Sequence, residues 1–154
     1  RCIVIEADGA DTAIEAQALD WKTVSPASIR DHVRNSGIVG LGGAAFPAWI
    51  KLDTEGRPAI ERLILNGAEC EPYISCDDML MREHAAEVVS GAQIMLQALQ
   101  TARCQIAIED NKPEAEAALR AALETASDER LELIEVPSVY PEGGEKLMIQ
   151  VLTG

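Results

Sequence analysis

The chain of 154 residues has the length of about one domain and can bury a core without disulfides or metals. Aromatic residues make up only 3%, so aliphatic side chains have to fill that core. The 26 acidic residues outnumber the 13 basic ones, and the net charge of −13 argues against nucleic acid or an anionic lipid surface as a partner. The sequence contains no apolar run of about 18 residues and no signal peptide, so it predicts no membrane span.

The first part of the chain predicts a strand, an irregular segment and a helix. Residues 2–6 are typical of a short strand, and residues 7–24 lack clear periodicity. Ser25 as N-cap and Pro26 as the first helical residue predict a helix that ends at Ser36-Gly37. We therefore divide the chain into an N-terminal strand with its connecting segment, residues 1–24, and an α/β domain, residues 25–154.

Strands and helices alternate through the rest of the chain. We predict strands at residues 62–66, 104–109 and 131–136. A long helix is predicted from Asp77 or Asp78 to Leu99, and another starts at Pro113. A last helix follows Gly143-Gly144, and its inward-facing residues are predicted to be Leu147, Met148, Val151 and Leu152. This order favours right-handed crossovers and a mostly parallel sheet with helices on both faces, which is a Rossmann-like three-layer α/β fold. Ligands of such sheets bind beyond the carboxyl ends of the strands.

Neither the cysteines nor the histidines predict a metal site. The four cysteines form no C-x-x-C pair, and the spacing of Cys70 and Cys76 is unusual for zinc or iron–sulfur ligands. Reduced, buried or incidental thiols are the simpler interpretation. His32 and His84 lie on predicted helices without a partner motif, so we interpret both as packed or surface residues.

Three segments near element boundaries have the composition of ligand-binding loops. Residues 40–47 (Gly-Leu-Gly-Gly-Ala-Ala-Phe-Pro) can bring backbone amides close to a phosphate, although a structural glycine turn fits equally well. Residues 66–73 (Asn-Gly-Ala-Glu-Cys-Glu-Pro-Tyr) follow a buried strand and carry an amide and two carboxylates, but they also fit a solvated acidic loop. Residues 140–146 (Tyr-Pro-Glu-Gly-Gly-Glu-Lys) precede a helix whose N-terminus favours an anion, and a plain connecting loop is the alternative.

Together these three segments resemble the signature blocks of the RnfC family, a component of the Rnf-type membrane electron-transport complexes. Residues 76–78 (Cys-Asp-Asp) and 108–113 (Ile-Glu-Asp-Asn-Lys-Pro) fit the same pattern in the same order, although the second block alone predicts only a strand end and a helix cap. That family is similar in turn to the NADH- and FMN-binding flavoprotein subunit of respiratory complex I. The resemblance therefore implies an oxidoreductase module in which a hydride passes between a nicotinamide and a flavin, and electrons continue to iron–sulfur clusters.

The resemblance also implies site residues, none of them a general acid or base. The residues implied for FMN are Gly40, Gly42, Gly43, Asn66, Glu69, Tyr140 and Gly143. The residues implied for NADH are Phe46, Lys51, Glu71 and Glu145. Ala45 departs from the family pattern, which has glycine there, and we expect its methyl group to be tolerated if φ at that position is negative. At Gly144 the complex I relatives carry an acidic residue, so only Glu145 is carried over.

The resemblance further implies a longer parent protein, its cellular location and its partners. The start at Arg1, without an initiator Met, and the abrupt end at Gly154 lead us to expect an internal piece of a longer subunit, with 4Fe-4S clusters in the missing C-terminal part. That longer protein would be peripheral, on the cytoplasmic face of the inner membrane, with other members of the complex and a ferredoxin-type carrier as partners. Two alternatives stay open: a soluble flavoprotein such as a cobalamin reductase, and a docking domain that has lost its flavin.

Overall fold

The computed structural model describes residues 2–15, 17–41 and 44–154. The helices are α1 Pro26–Asn35, α2 Ala48–Leu52, α3 Cys76–Glu83, α4 Ala85–Leu99, α5 Pro113–Ala126 and α6 Glu145–Thr153. The strands are β1 Leu63–Asn66, β2 Cys104–Glu109 and β3 Leu131–Val136. This alternation confirms the predicted α/β fold.

The three strands form one parallel sheet in the order β1-β2-β3. Leu63 pairs with Cys104, and Cys104 pairs in turn with Leu131, so the strands start in register and end at a common edge. The central strand β2 is buried along its length except at Gln105, which explains why Ile106, Ala107 and Ile108 are consecutive apolar residues rather than alternating with polar ones. The loops that follow β1 and β3 therefore leave the same edge of the sheet, on either side of β2.

The core is aliphatic, as the composition requires. Ile106 and Ile108 of β2 are fully buried, and Leu96 of α4 and Leu119 of α5 are buried with Ile106 and Ile108. A smaller cluster on β2, β3 and α6 contains Ala107, Val136 and Met148. Helices thus cover both faces of the sheet. No helix within the described residues combines the length and apolarity needed to cross a membrane.

The structure differs from the sequence-based expectation at two elements before α5. Residues 2–6 form no strand, because the segment has no neighbouring ladder to pair with, and Ile3, Val4 and Ile5 are 86–90% exposed. The predicted long helix is two helices, because His84 leaves helical geometry at φ −129° and ψ 31°. The apolar period passes through this break unchanged, so the sequence alone does not reveal it.

The predicted inward face of α6 is only partly right. Met148 is 1% exposed, but Leu147 and Val151 are 41% and 48% exposed. Between Leu147 and Leu152 every residue of this helix except Gln150 is apolar, so the period does not select one face. α6 buries Met148 in the cluster on β2 and β3, and the predicted Leu152 packs against that cluster while partly buried.

Candidate functional site

The loops after β1 and β3 are joined directly by the side chain of Asn66. Its Nδ2 donates to the carbonyl oxygen of Gly143 at 2.8 Å, and its Oδ1 accepts from the backbone N–H of Ala68 at 3.2 Å. One end of the amide therefore ties the two loops together, and the other end fixes the side chain within its own loop. The carboxyl-end rule predicted the proximity of these loops, and the structure shows the contact that fixes it.

Gly143 lies against the β1 loop so closely that a larger residue does not fit. A Cβ at this position would lie 2.5 Å from Sγ of Cys70 and 3.2 Å from the carbonyl oxygen of Ala68. Cys70 thus packs on the glycine backbone, which explains why this position of the motif has no side chain. The two loops form a single packed unit at this point.

A cleft of about 310 Å³ opens between the two loops. The β1 loop contributes Ala68, Cys70, Glu71 and Pro72, and the β3 loop contributes Tyr140, Pro141, Gly143 and Gly144. Ligand sites are typically roughly 300–1,000 Å³, so the cleft fits a part of a dinucleotide-sized ligand. Tyr140 is 81% exposed, which leaves its ring free to pack on a planar group.

The first turn of α6 lies at one end of this cleft. Gly144 is the N-cap residue of α6, and no side chain caps the helix there. The first amides of a helix lack internal acceptors, and together with the helix dipole they favour an anion. Glu145 opens α6 and shares a second cleft of about 300 Å³ with Asn66, along the edge of β1.

Glu69 points away from both clefts. Its Oε1 accepts from the backbone N–H of Asp77 at 2.8 Å, and its Oε2 accepts from the N–H of Asp78 at 3.1 Å and from Nζ of Lys112 at 3.1 Å. Its side chain is 3% exposed. Burial alone would raise the pKa of Glu69, but these amides and the ammonium outweigh burial, and the pKa is lowered.

The glycine-rich segment forms a separate turn between α1 and α2. The N–H of Gly40 donates to the carbonyl oxygen of Phe46 at 2.8 Å, and Val39 and Pro47 form an antiparallel bridge. Nζ of Lys51 lies 5.9 Å from the centre of the Phe46 ring, so these two predicted NADH residues are neighbours. Of the residues that the structure describes in this segment, none lines the 310 Å³ cleft.

Two predictions about this segment have distinct outcomes. Gly42 and Gly43 lie outside the described residues. Ala45 has a φ of +48°, so the condition under which its methyl group would be tolerated, a negative φ, is not met. Its backbone takes the left-handed conformation that a glycine would adopt without strain. The loop shape is thus compatible with alanine but carries a steric penalty.

The structure therefore sorts the predicted residues by position. Glu71, Tyr140 and Gly143 surround one cleft, Asn66 joins its walls and borders the second cleft with Glu145, and Glu69 is turned inward. Sequence reasoning missed the role of Lys112 and Glu109, which contact the β1 loop from beneath. Their signal was the block at residues 108–113, interpreted as only a strand end and helix cap.

This arrangement defines a cofactor-binding α/β domain, with two loops and a helix N-terminus at the carboxyl edge of a parallel sheet. Residues 33–154 match the family model of the Nuo51 FMN-binding domain, and the chain belongs to that family. It is also 49% identical over 154 residues to the RnfC component of the ion-translocating oxidoreductase complex of Edwardsiella ictaluri, and 46% identical to that of Pasteurella multocida. These matches cover 99% of the chain and 19% and 18% of the relatives, so the chain spans about a fifth of their length.

Solved structures support the same family assignment. An NAD+-reducing [NiFe]-hydrogenase in its air-oxidised state matches with a TM-score of 0.71 at 26% identity, over 83% of this chain and 24% of that one. The hydrogen-reduced state of such an enzyme matches with a TM-score of 0.69 at 25% identity. The relatives named above confirm the resemblance to the RnfC family.

Proposed function

We propose that this chain is the FMN- and NAD(H)-binding part of an electron-transfer subunit of an ion-translocating oxidoreductase. The observation that carries the proposal is the cleft between the β1 and β3 loops. It lies where parallel sheets bind their ligands, in a chain of the FMN-binding family. FMN when bound supplies the hydride and single-electron chemistry, and the protein supplies binding and orientation.

The residues of the cleft fit such a cofactor by chemistry and shape. The uncapped N-terminus of α6 offers amide donors suited to a phosphate. Gly143 and Gly144 line the cleft with backbone alone, and the exposed ring of Tyr140 offers a stacking surface for a planar ring. Asn66 acts mainly by holding the two walls together, since both ends of its amide already have partners.

The second substrate is proposed to bind next to the flavin. Phe46 and Lys51 form an aromatic and cationic pair on the separate glycine turn, and Glu71 and Glu145 lie at the two clefts. An ammonium suits a pyrophosphate, and carboxylates suit ribose hydroxyl donors. The role of these residues is positioning, which places the nicotinamide and the flavin in the orientation that hydride transfer needs.

The wider setting is part of the same proposal. The relatives are named as subunits of an ion-translocating oxidoreductase complex, and the structural neighbours are NAD+-reducing enzymes. We therefore place the chain in a peripheral subunit on the cytoplasmic side of the membrane, with 4Fe-4S clusters beyond the flavin, and with a ferredoxin-type carrier and other members of the complex as partners. Electrons would pass from the flavin to those clusters.

Titration with FMN tests the proposal directly. Quenching of flavin fluorescence on addition of the purified chain, followed by anaerobic bleaching with NADH, is the expected result. If only a protein of the relatives' full length binds, the remaining contacts lie outside residues 1–154 and the proposal holds. Absence of binding to both proteins refutes it.

A matched pair of glycine variants locates the site. Gly143→Ala places a methyl group 2.5 Å from Sγ of Cys70, so the loops have to separate, and we expect FMN affinity to fall by at least about tenfold, or ~1.4 kcal/mol. Gly91→Ala lies in α4 with nothing within 4 Å of the added Cβ, so it should leave the affinity unchanged. Equal affinities of the two variants would exclude this cleft.

A further inference from the structure

Beneath the cleft, three charged side chains meet with little access to solvent. Nζ of Lys112 lies 3.1 Å from Oε2 of Glu69 and 3.5 Å from Oε2 of Glu109, and these side chains are 11%, 3% and 10% exposed. The backbone N–H of Glu69 also donates to Oε2 of Glu109 at 3.1 Å. We call these three residues the Lys112 cluster.

The cluster connects four parts of the fold. Glu69 belongs to the loop after β1, Glu109 ends β2, and Lys112 is the N-cap residue of α5. Through its carboxylate, Glu69 also binds the first amides of α3. The cluster thus fixes the β1 loop to the sheet and to two helices at once.

This connection reaches the cleft through one residue. Glu69 stands between Ala68 and Cys70 in the chain, and both of these line the cleft. Because Cys70 and Ala68 both pack against Gly143, a shift of Glu69 moves both contacts between the walls. The position of the walls therefore depends on where the Glu69 carboxylate is held.

The charges around Lys112 show why an ammonium is needed there. Glu69, Glu109 and Asp78 face it, and Asp77 interacts with Glu69, Lys112 and Glu71. Burial alone would lower the pKa of Lys112, but the carboxylates outweigh burial and raise it, so the ammonium stays protonated. Arg82 pairs with Asp78 at 3.5 Å and also with Glu114.

A metal ion is the alternative explanation for acidic groups at this place. Ligand atoms of Glu69, Cys76 and Asp77 lie within 4.8 Å of one another. However, the Glu69 oxygens already accept from two backbone amides and from the Lys112 ammonium. Its lone pairs are committed to internal partners, so the geometry favours a structural ion pair.

We propose that Lys112 is a positioning residue for the cofactor site, which holds Glu69 and Glu109 together and so fixes the cleft-lining loop. The cofactor part of this inference rests on the proposed function, whereas the effect on the loop does not. Without the ammonium, two buried carboxylates face each other, and like charges in such a site repel unless one takes up a proton.

Hydrogen exchange tests the loop directly. In Lys112→Met, we expect the amides of Asp77, Asp78 and Glu69 to exchange at least about tenfold faster, since their acceptors are no longer held. Lys22→Met removes an exposed ammonium of the same type and should leave the exchange rates of these amides unchanged. If the exchange rates of these three amides rise by no more than those of the rest of the chain, the proposal is overturned.

Flavin binding adds a readout that general destabilisation would not produce. The FMN affinity of Lys112→Met should fall by about tenfold at pH 8 and by less at pH 5.5, where one carboxyl can bind a proton. Lys112→Arg keeps the charge and should stay within about threefold of the unsubstituted chain at both pH values. A loss that does not vary with pH overturns the proposal.

A second substitution keeps the test decisive if Lys112→Met does not fold. Glu109→Gln in the same chain removes the repulsion and keeps an oxygen that can accept from the Glu69 amide. The double variant should fold, and its amides at Glu69, Asp77 and Asp78 should exchange faster than those of the unsubstituted chain but by less than about tenfold. Exchange at the rate of the unsubstituted chain overturns the proposal. Failure of both this chain and a protein of the relatives' full length to bind FMN refutes the proposed function only, and the exchange rates then decide the role of Lys112.

Discussion

Ala45 offers a direct test of the strain in the glycine-rich turn. Its φ of +48° lies in the left-handed region, where the Cβ of an L-residue approaches the following carbonyl oxygen. That contact destabilises the folded chain by about 1–2 kcal/mol. Ala45→Gly removes the Cβ and should therefore stabilise the protein.

The net gain is smaller than the strain that is relieved. Glycine gives the unfolded chain more conformational freedom, which offsets about 0.4–1 kcal/mol of the gain. The difference leaves a stabilisation of about 0.5–1 kcal/mol. For a chain of this size 1 kcal/mol shifts Tm by about 2–4 °C, so we expect a rise of roughly 1–4 °C.

Thermal and urea unfolding of three proteins measure this gain. Ala59 is exposed, lies outside the helices and strands, and its φ is not positive, so Ala59→Gly shows the entropic effect of glycine alone. We expect Ala45→Gly to raise Tm and Ala59→Gly to lower it slightly. If both variants lower Tm by the same amount, the left-handed conformation at position 45 and the reasoning from it are wrong.

Three further substitutions or reactions test other parts of the structure. Gly67→Ala would place a Cβ 2.7 Å from the carbonyl oxygen of Ala107, so it should lower the free energy of unfolding by about 1–3 kcal/mol in urea titrations. Asp128 accepts hydrogen bonds from Arg130, which lowers its pKa, so this stabilisation is present above the ordinary aspartate range and is lost as the pH falls below it. Asp128→Asn should therefore cost about 1–3 kcal/mol at pH 7, and its unfolding curve should converge with that of the unsubstituted chain in strong acid. Burial raises the pKa of Cys104 to about 12, so mass spectrometry after brief alkylation at pH 8 should find it unmodified in the folded chain, while an exposed thiol reacts.

The sheet and the helix starts could be predicted because each leaves a local signal. Residues 104–109 are an apolar run in the sequence and a buried central strand in the structure. Ser25 accepts from the N–H of Ser28 at 3.1 Å, as an N-cap residue should. Parallel strands of one sheet end at one edge, so the proximity of the Asn66 and Gly143 loops also followed from the sequence.

The direction of individual side chains could not be predicted in the same way. Glu69 and Glu71 stand two residues apart in one acidic loop, yet one is turned inward and the other lines the cleft. The difference arises because α3 begins seven residues after Glu69, and its first amides need an acceptor that Ser75 does not provide. That requirement is set by the path of the chain, which no local motif encodes.

The electrostatics of the cleft follow from this division between residues that hold the loops, such as Glu69, and residues that face the cleft, such as Glu71. None of the described residues that line the 310 Å³ cleft is Lys or Arg, although the proposed ligand carries a phosphate. The ammonium of Lys112, beneath the cleft, is already committed to Glu69 and Glu109. The attraction for an anion therefore has to come from backbone donors, above all the uncapped first turn of α6. Backbone donors act only at a fixed distance and angle. Two contacts hold the walls of the cleft in place: Asn66 to Gly143, and Cys70 against Gly143. These contacts therefore determine the affinity for the ligand as much as any group that touches it.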